Sequence, residues 1–399
     1  MSSGLHAKLF PTDSFSWVLM RTYGALWSWL FAENYSMTAS DKLPTNDHGL
    51  RTIMVRVPNW VGDVVMALPA LTELRRVFAN SQITFAARPS VAGLFDGEGL
   101  ADEMIPVGDA QTLVGSAIDF VRDARLIRQK RFDLAVLLQN AFGAALLARA
   151  GGAKKIAGYA TDGRGSLLDL VVPFESNYKL AHQVRYYLNI TAEIERKLTG
   201  GTRIDIETAR PRLHATGRQR ERARLMLEEA GLSITAAPIL AINPGATNSR
   251  AKRWLAGRFA ATADRLAERD GFQTIIVGTA GDLDVANEVA AQMRAPAAVL
   301  AGRTDLAELK GVLSCASLVV SNDTGAAHVS AALGVPTVVV FGPTEHVSTR
   351  PLSDVARVVR HDVECSPCML RDCPIDHRCM TRVEVDDVYL AAQDLLLAV

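Results

Sequence analysis

The 399-residue sequence has no net charge, with 43 lysines and arginines against 43 aspartates and glutamates. Nothing global therefore draws the chain to nucleic acid, and partners have to be read from local sequence. Low-complexity runs and repeat periods are also missing, which excludes a disordered scaffold or a solenoid. Cysteine is scarce, five in all, and four of the five lie between Cys365 and Cys379. A secreted disulfide framework would spread them over the fold, so a reducing, cytoplasmic compartment is expected. A membrane-spanning helix needs roughly 20 apolar residues. The nearest approach, 17–32, holds Trp17, Trp27 and Trp29 but is short and interrupted by Arg21. It also lacks the basic start and small-residue cleavage site of a secretory signal. An aromatic helix in a membrane interface, a helix packed on the protein and a mobile leader remain open for it.

What the chain does have is enough length for two domains and an ordinary globular composition, 49% hydrophobic and 22% charged. From Arg51 onward, short β-branched runs alternate with helix-length amphipathic stretches, the pattern of parallel strands joined by crossover helices. Strands are predicted at 52–57, 82–87, 103–107, 132–138 and 155–158, with helices at 64–78 and 111–130. After a charged helix at 216–230, a second series follows at 239–243, 273–278, 297–301, 318–321 and 337–341. The expected division is an extension over 1–50, a first α/β domain over 51–230 and a second over 231–399. No G-x-G-x-x-G follows the first strand of either half, which argues against a dehydrogenase.

Three strand-to-helix junctions carry chemistry. Pro58-Asn-Trp-Val-Gly-Asp63 follows the first strand, where open α/β sheets bind ligands. Asp63 there suits a base for an attacking hydroxyl, or simply a helix cap. Asn243-Pro-Gly-Ala-Thr-Asn-Ser-Arg-Ala-Lys-Arg-Trp254 combines a glycine turn with Arg250, Lys252 and Arg253. It reads as a phosphate-holding loop or as a solvated charged loop, with Trp254 in the core. The third junction is Ser321-Asn-Asp-Thr-Gly-Ala-Ala-His328, leading to Phe341-Gly-Pro-Thr344. Backbone N–H groups at that helix start, with the Thr324 hydroxyl, form an anion site suited to a diphosphate. Asp323 would repel phosphate and is expected to orient the loop or a metal, or to cap the helix; His328 sits one turn on.

These stretches, with Leu138-Gln-Asn-Ala-Phe-Gly-Ala-Ala-Leu146, occur in order over the chain from about Arg51, and together they resemble the lipopolysaccharide heptosyltransferases, the heptosyltransferase II branch most closely. The resemblance implies a GT-B fold, two Rossmann-like domains facing across a cleft, with a non-family N-terminal extension. It implies that the first domain holds the acceptor, Kdo-lipid A carrying heptose, and the second the donor, ADP-heptose, with inversion at the anomeric carbon. Asp63 matches the family's proposed base and Lys252 the lysine that steadies the departing diphosphate. Gly245, Thr247, Asp282, Asp323, Thr324, Gly325 and His328 fall in the implied donor site, and Asn59, Trp60, Asn140 and Arg164 in the implied acceptor site. No cofactor is implied, no nucleic acid is expected, and the acceptor implies peripheral work at the inner face of the cytoplasmic membrane. The chain departs from the family pattern at Thr247-Asn248-Ser249-Arg250 and at Leu255, where proline is usual.

Cys365, Cys368, Cys373 and Cys379 have ligand type and a first spacing that would suit a structural zinc; buried thiols or a stress-formed disulfide are the plainer alternatives. Arg122, Arg125, Arg128, Lys130 and Arg131 on one helix are either acceptor contacts or a solvated face. The alternatives are a related family member using another core acceptor, of the heptosyltransferase I or III type, and, outside the transferases, a two-domain nucleotide-sugar epimerase and a non-catalytic binding relative.

Overall fold

The computed structural model describes residues 49–108, 112–174, 181–247 and 249–398. The extension with its tryptophan-rich segment, and Asn248 of the second junction, lie outside the described residues. Counting helices of eight residues or more, the first half runs β1 (Thr52–Arg56), α1 (Val61–Val77), β2 (Gln82–Ala87), β3 (Glu103–Pro106), α2 (Leu113–Lys130), β4 (Leu134–Leu137), α3 (Phe142–Ala150), β5 (Lys155–Tyr159), β6 (Leu170–Val172) and α4 (Gln183–Thr199). The second half runs α5 (Gly217–Glu229), β7 (Ile239–Asn243), α6 (Ala256–Asp270), β8 (Gln273–Ile276), α7 (Leu283–Gln292), β9 (Ala297–Val299), α8 (Leu306–Ser314), β10 (Leu318–Asn322), α9 (Gly325–Ala332), β11 (Thr337–Val340), β12 (Ala356–Val359) and α10 (Val385–Leu397).

The two sheets have the same topology. The first is ordered β3-β2-β1-β4-β5-β6 and the second β12-β11-β10-β7-β8-β9, which is the same order when β7 is taken as its first strand. All pairings are parallel. Central strands such as Ile239–Asn243 and Leu318–Asn322 are buried along their whole length, because helices cover both faces of a parallel sheet. The strand order reverses between β1 and β4 and again between β7 and β10, and the loops at those switch points carry the sequence motifs.

Three details differ from the sequence expectation. Each sheet has a sixth strand, β6 and β12, both short edge strands. Helix α1 starts three residues earlier than expected, at Val61. Helix α5, assigned by sequence to the first half, packs on α8 of the second: a side chain at Gly311 would come within 2.5 Å of the Gln219 carbonyl. The crossing between halves therefore lies in 200–216.

The halves meet closely. A Cβ on Gly325, at the start of α9, would lie 2.7 Å from Val61 at the start of α1, so glycine permits this approach of two helix N-termini. Lys310 of α8 is fully buried, and its ammonium donates to Leu94 O at 3.2 Å, Asp96 O at 2.7 Å and Glu98 Oε1 at 2.9 Å, a buried ion pair joining the halves. Among the described residues no helix is long and apolar enough to cross a membrane.

Candidate active site

Asp63 occupies the third position of α1. The N-cap is Trp60, whose carbonyl accepts from Val64 N at 2.9 Å and whose side chain makes no capping bond. The early helix start thus removes Asp63 from the capping position that sequence allowed it. Its Oδ1 instead accepts a hydrogen bond from the Tyr187 hydroxyl of α4 at 3.2 Å. Burial raises the Asp63 pKa above the ordinary carboxylate range; the Tyr187 bond and the Lys252 charge pull it back, and Asp323 pushes it up. Two of those charges belong to the other domain, so the carboxylate faces the cleft. Tyr187, fully enclosed, is pushed well above an ordinary tyrosine by burial and then by Asp63, and it stays a proton donor.

Across the cleft, the 250–252 turn presents Lys252, whose Nζ lies 2.8 Å from Asp323 Oδ2 and 3.4 Å from Asp323 O. The same Oδ2 accepts from Thr344 Oγ1 at 2.7 Å, so Asp323 ties the β7, β10 and β11 loops together. Thr324 is the N-cap of α9 but its hydroxyl makes no capping bond; it accepts from Asn243 Nδ2 at 3.1 Å and pairs with Ser321 Oγ at 3.2 Å. That leaves the start of α9, at Gly325, without a side-chain cap where it packs against Val61 of α1. Buried Asn322 donates to Pro244 O at 2.8 Å and accepts from Trp254 N at 2.9 Å, which fixes the shape of the loop between them. Trp254 is core, as expected.

The remaining residues of the implied donor site divide. Gly245 passes so close to Asp282 that any side chain there would run into the carboxylate. Asp282 is buried and engaged, accepting from Thr279 N at 3.1 Å and Thr279 Oγ1 at 2.7 Å and standing 3.4 Å from Arg253 Nη2. Thr247 is exposed at the loop tip. His328 is buried, and a Cβ on Gly62 would lie 3.1 Å from its ring, so it packs against the first turn of α1, which bears Asp63. Burial lowers its pKa to about 4 and keeps it neutral.

Of the residues of the implied acceptor site, Trp60 is 55% exposed, and Asn59 is held by Arg56 Nη2 at 2.7 Å. Asn140 is exposed after β4, and its Oδ1 accepts from Arg164 Nη2 at 2.6 Å and from Thr161. Arg164 is itself fully buried, donating to Tyr159 O at 2.8 Å and Gln139 O at 2.6 Å, so its guanidinium shapes the Asn140 loop from beneath. In the basic helix, Arg122 is paired with Asp119 at 2.7 Å and Asp123 at 2.8 Å, and Lys130 with Glu103 at 2.6 Å.

The cysteine segment lies over the loops that follow β7 and β11. Ala251 N donates to Arg371 O at 2.9 Å, Ser249 Oγ to Leu370 O at 3.1 Å, and His377 Nε2 to Ala251 O at 2.6 Å. Met369 N donates to Pro343 O at 2.8 Å and Ser366 Oγ to Gly342 O at 2.6 Å. The segment therefore clasps the loop of Lys252 and the loop of Thr344 from outside. Its four cysteines are free thiols, and burial pushes Cys379 up to about 11. Among the described residues no group of three or more His, Cys, Asp or Glu is placed to hold a metal ion.

Sequence reasoning missed Tyr187, the interlocking role of Thr344, and the clasp. Each acts across more than 20 positions, and no local spacing announces it.

The family model described as glycosyltransferase family 9 (heptosyltransferase) matches residues 121–378. Lipooligosaccharide heptosyltransferase 2 of Campylobacter jejuni is 26% identical over 351 residues, covering 86% of this chain and 98% of that protein. Lipopolysaccharide heptosyltransferase 2 of Salmonella typhimurium is 29% identical over 317 residues, 77% of this chain and 87% of that protein. Among solved structures, E. coli ADP-heptose LPS heptosyltransferase II superposes with a TM-score of 0.72 at 24% identity, covering 88% of this chain and 99% of that one, which shows the shared GT-B fold.

Proposed function

The chain belongs to glycosyltransferase family 9, and from that premise we propose that it transfers heptose from ADP-heptose to Kdo-lipid A already carrying heptose, the heptosyltransferase II step of lipopolysaccharide core synthesis. The relatives named above, which span most of both chains, support the heptosyl transfer and the type-II acceptor. One observation carries the chemistry: the start of α1, which bears Asp63, meets the start of α9 at Gly325 and Val61, and the Asp63 carboxylate lies within the field of Lys252 from the second domain.

Asp63 takes the proton from the acceptor hydroxyl as its oxygen attacks the anomeric carbon. The new carbon–oxygen bond forms on the face opposite ADP, the old one breaks, and the configuration inverts. Charge building on the departing diphosphate is met by Lys252, the Thr324 hydroxyl and the N–H groups at Gly325. Lys252 leaves its pairing with Asp323 only partly, since the Thr344 bond keeps that carboxylate in place. Because the acceptor is a lipid, the work is done at the inner face of the cytoplasmic membrane.

The test is ADP release with ADP-heptose and either the heptosylated or the heptose-free Kdo-lipid A acceptor. Turnover with the heptosylated acceptor alone supports the proposal. Turnover only with the heptose-free acceptor, or a preference for a UDP-sugar, would replace it.

A further inference from the structure

We infer that the concave surface between the interdomain crossing and β12 is an anion-binding subsite, taking phosphate or carboxylate groups carried by the acceptor. The inference rests on the acceptor proposed above. The cavity, about 470 Å³, is lined by Arg210, His346, Arg350, Arg357 and Arg360, with Asp354 the lone carboxylate in its wall. Arg210 Nη1 donates to the carbonyls of Glu207 and Ala209, each at 3.2 Å, and Arg357 Nη1 to those of Asp354 at 2.9 Å and Ala356 at 3.1 Å. Carbonyls orient a guanidinium without neutralising it, so these charges stay available to an anion. Arg360 pairs at 2.7 Å with Asp362, which is 91% exposed and readily exchanged for another anion. The basic helix of the first domain contrasts with this, since Arg122 and Lys130 are already matched by carboxylates.

The place of the cavity fits the acceptor. Arg350 O accepts from His182 Nε2 at 2.7 Å, and His182 accepts from Val184 N at 3.2 Å to cap α4. Five residues on, about 8 Å of helix rise, the same helix supplies the tyrosine that holds Asp63. The cavity rim is thus tied to the element that positions the base. Burial holds His182 neutral, with a pKa lowered to about 4, and the Arg350, Arg185 and Arg210 charges push in the same direction. Charges on an edge strand commonly serve to block strand pairing. Arg210 and Arg350 lie off β12, and that role does not account for them.

The test compares the full chain with an Arg350→Ser/Arg357→Ser/Arg360→Ser variant. Inorganic pyrophosphate is the calorimetric probe, used in a Lys252→Ala background with saturating ADP present to occupy the loops of Thr324 and Gly325. Pyrophosphate affinity is expected to fall about tenfold or more in the variant. With Lys252 intact, the acceptor KM is expected to rise about tenfold while the donor KM and kcat hold. Added salt should weaken acceptor binding more steeply in the wild type than in the variant. Lost pyrophosphate binding with an unchanged acceptor KM would overturn the assignment to the acceptor and leave only a site for a free phosphate compound. Equal pyrophosphate affinity in both proteins would overturn it. A wild type that turns over no acceptor, yet binds pyrophosphate through these arginines, would sink the proposed function and leave the subsite standing.

Discussion

Replacing Tyr187 by phenylalanine removes one hydroxyl from beneath Asp63 and little else. The ring stays packed against Tyr186, with centroids 5.5 Å apart at 82°, and the substitution nearly conserves volume. What is lost is a hydrogen bond to a carboxylate that must be ionised to act as a base. Bonds to charged groups are worth about 1.5–3 kcal/mol, and the 3.2 Å separation places this one at the low end. The loss should raise the pKa of Asp63 further, since burial already raises it and Tyr187 opposes that rise. A raised carboxyl pKa means that the base form is lost at higher pH. The acidic limb of kcat/KM is therefore expected to move up by about one pH unit, with the alkaline plateau nearly kept. The assay is ADP release from pH 5 to 9 at saturating donor. A rate lowered evenly at every pH, or an acidic limb that does not move, would refute the account of Asp63 as the titrating base.

Other outcomes follow from the same contacts. Lys252→Ala should lower kcat by about a hundredfold with a smaller change in donor KM, because its charge matters most as the diphosphate departs; stopped-flow ADP release separates the two. His377→Ala should loosen the 250–252 turn, seen as faster hydrogen exchange at the Ala251 amide and about tenfold lower kcat, whereas His377→Gln keeps a donor for Ala251 O and restores both. His377 has φ of 56°, a left-handed backbone that strains alanine and glutamine alike, so the two variants differ only in the side-chain bond. His328 titrates at about 4 in the fold against an ordinary 6.5, so the unfolded chain binds more protons between those values. Stability from the neutral ring is complete above 6.5 and falls as pH drops toward 4; His328→Gln should flatten the dependence of Tm on pH in that window.

Much of this was legible in the sequence because it depends on local pattern. Alternating β-branched runs and amphipathic stretches gave both sheets, and loops between a strand and a helix put Asp63, Lys252 and Thr324 at the switch points. The misses share a cause. Edge strands such as Leu170–Val172 are too short to show a period. The early start of α1 follows from Trp60-Val61-Gly62, which resembles no capping signal. Helix α5 is visibly amphipathic, but its pattern does not say which domain it covers. Tyr187 is 124 positions from Asp63, and His377 is 126 from Ala251, so their contacts exist only once the chain has folded. Arg164 illustrates the reverse case: its residue type suits an anionic acceptor, but complete burial makes it a support for Asn140.

The most direct test of the central claim is single-turnover transfer from ADP-heptose to heptosylated Kdo-lipid A by wild type and Asp63→Asn, which preserves shape and removes the base. The account expects both proteins to bind ADP-heptose alike and the variant to lose about a hundredfold or more of the transfer rate at neutral pH. Transfer by Asp63→Asn at close to the wild-type rate would contradict it and move the base elsewhere in the cleft.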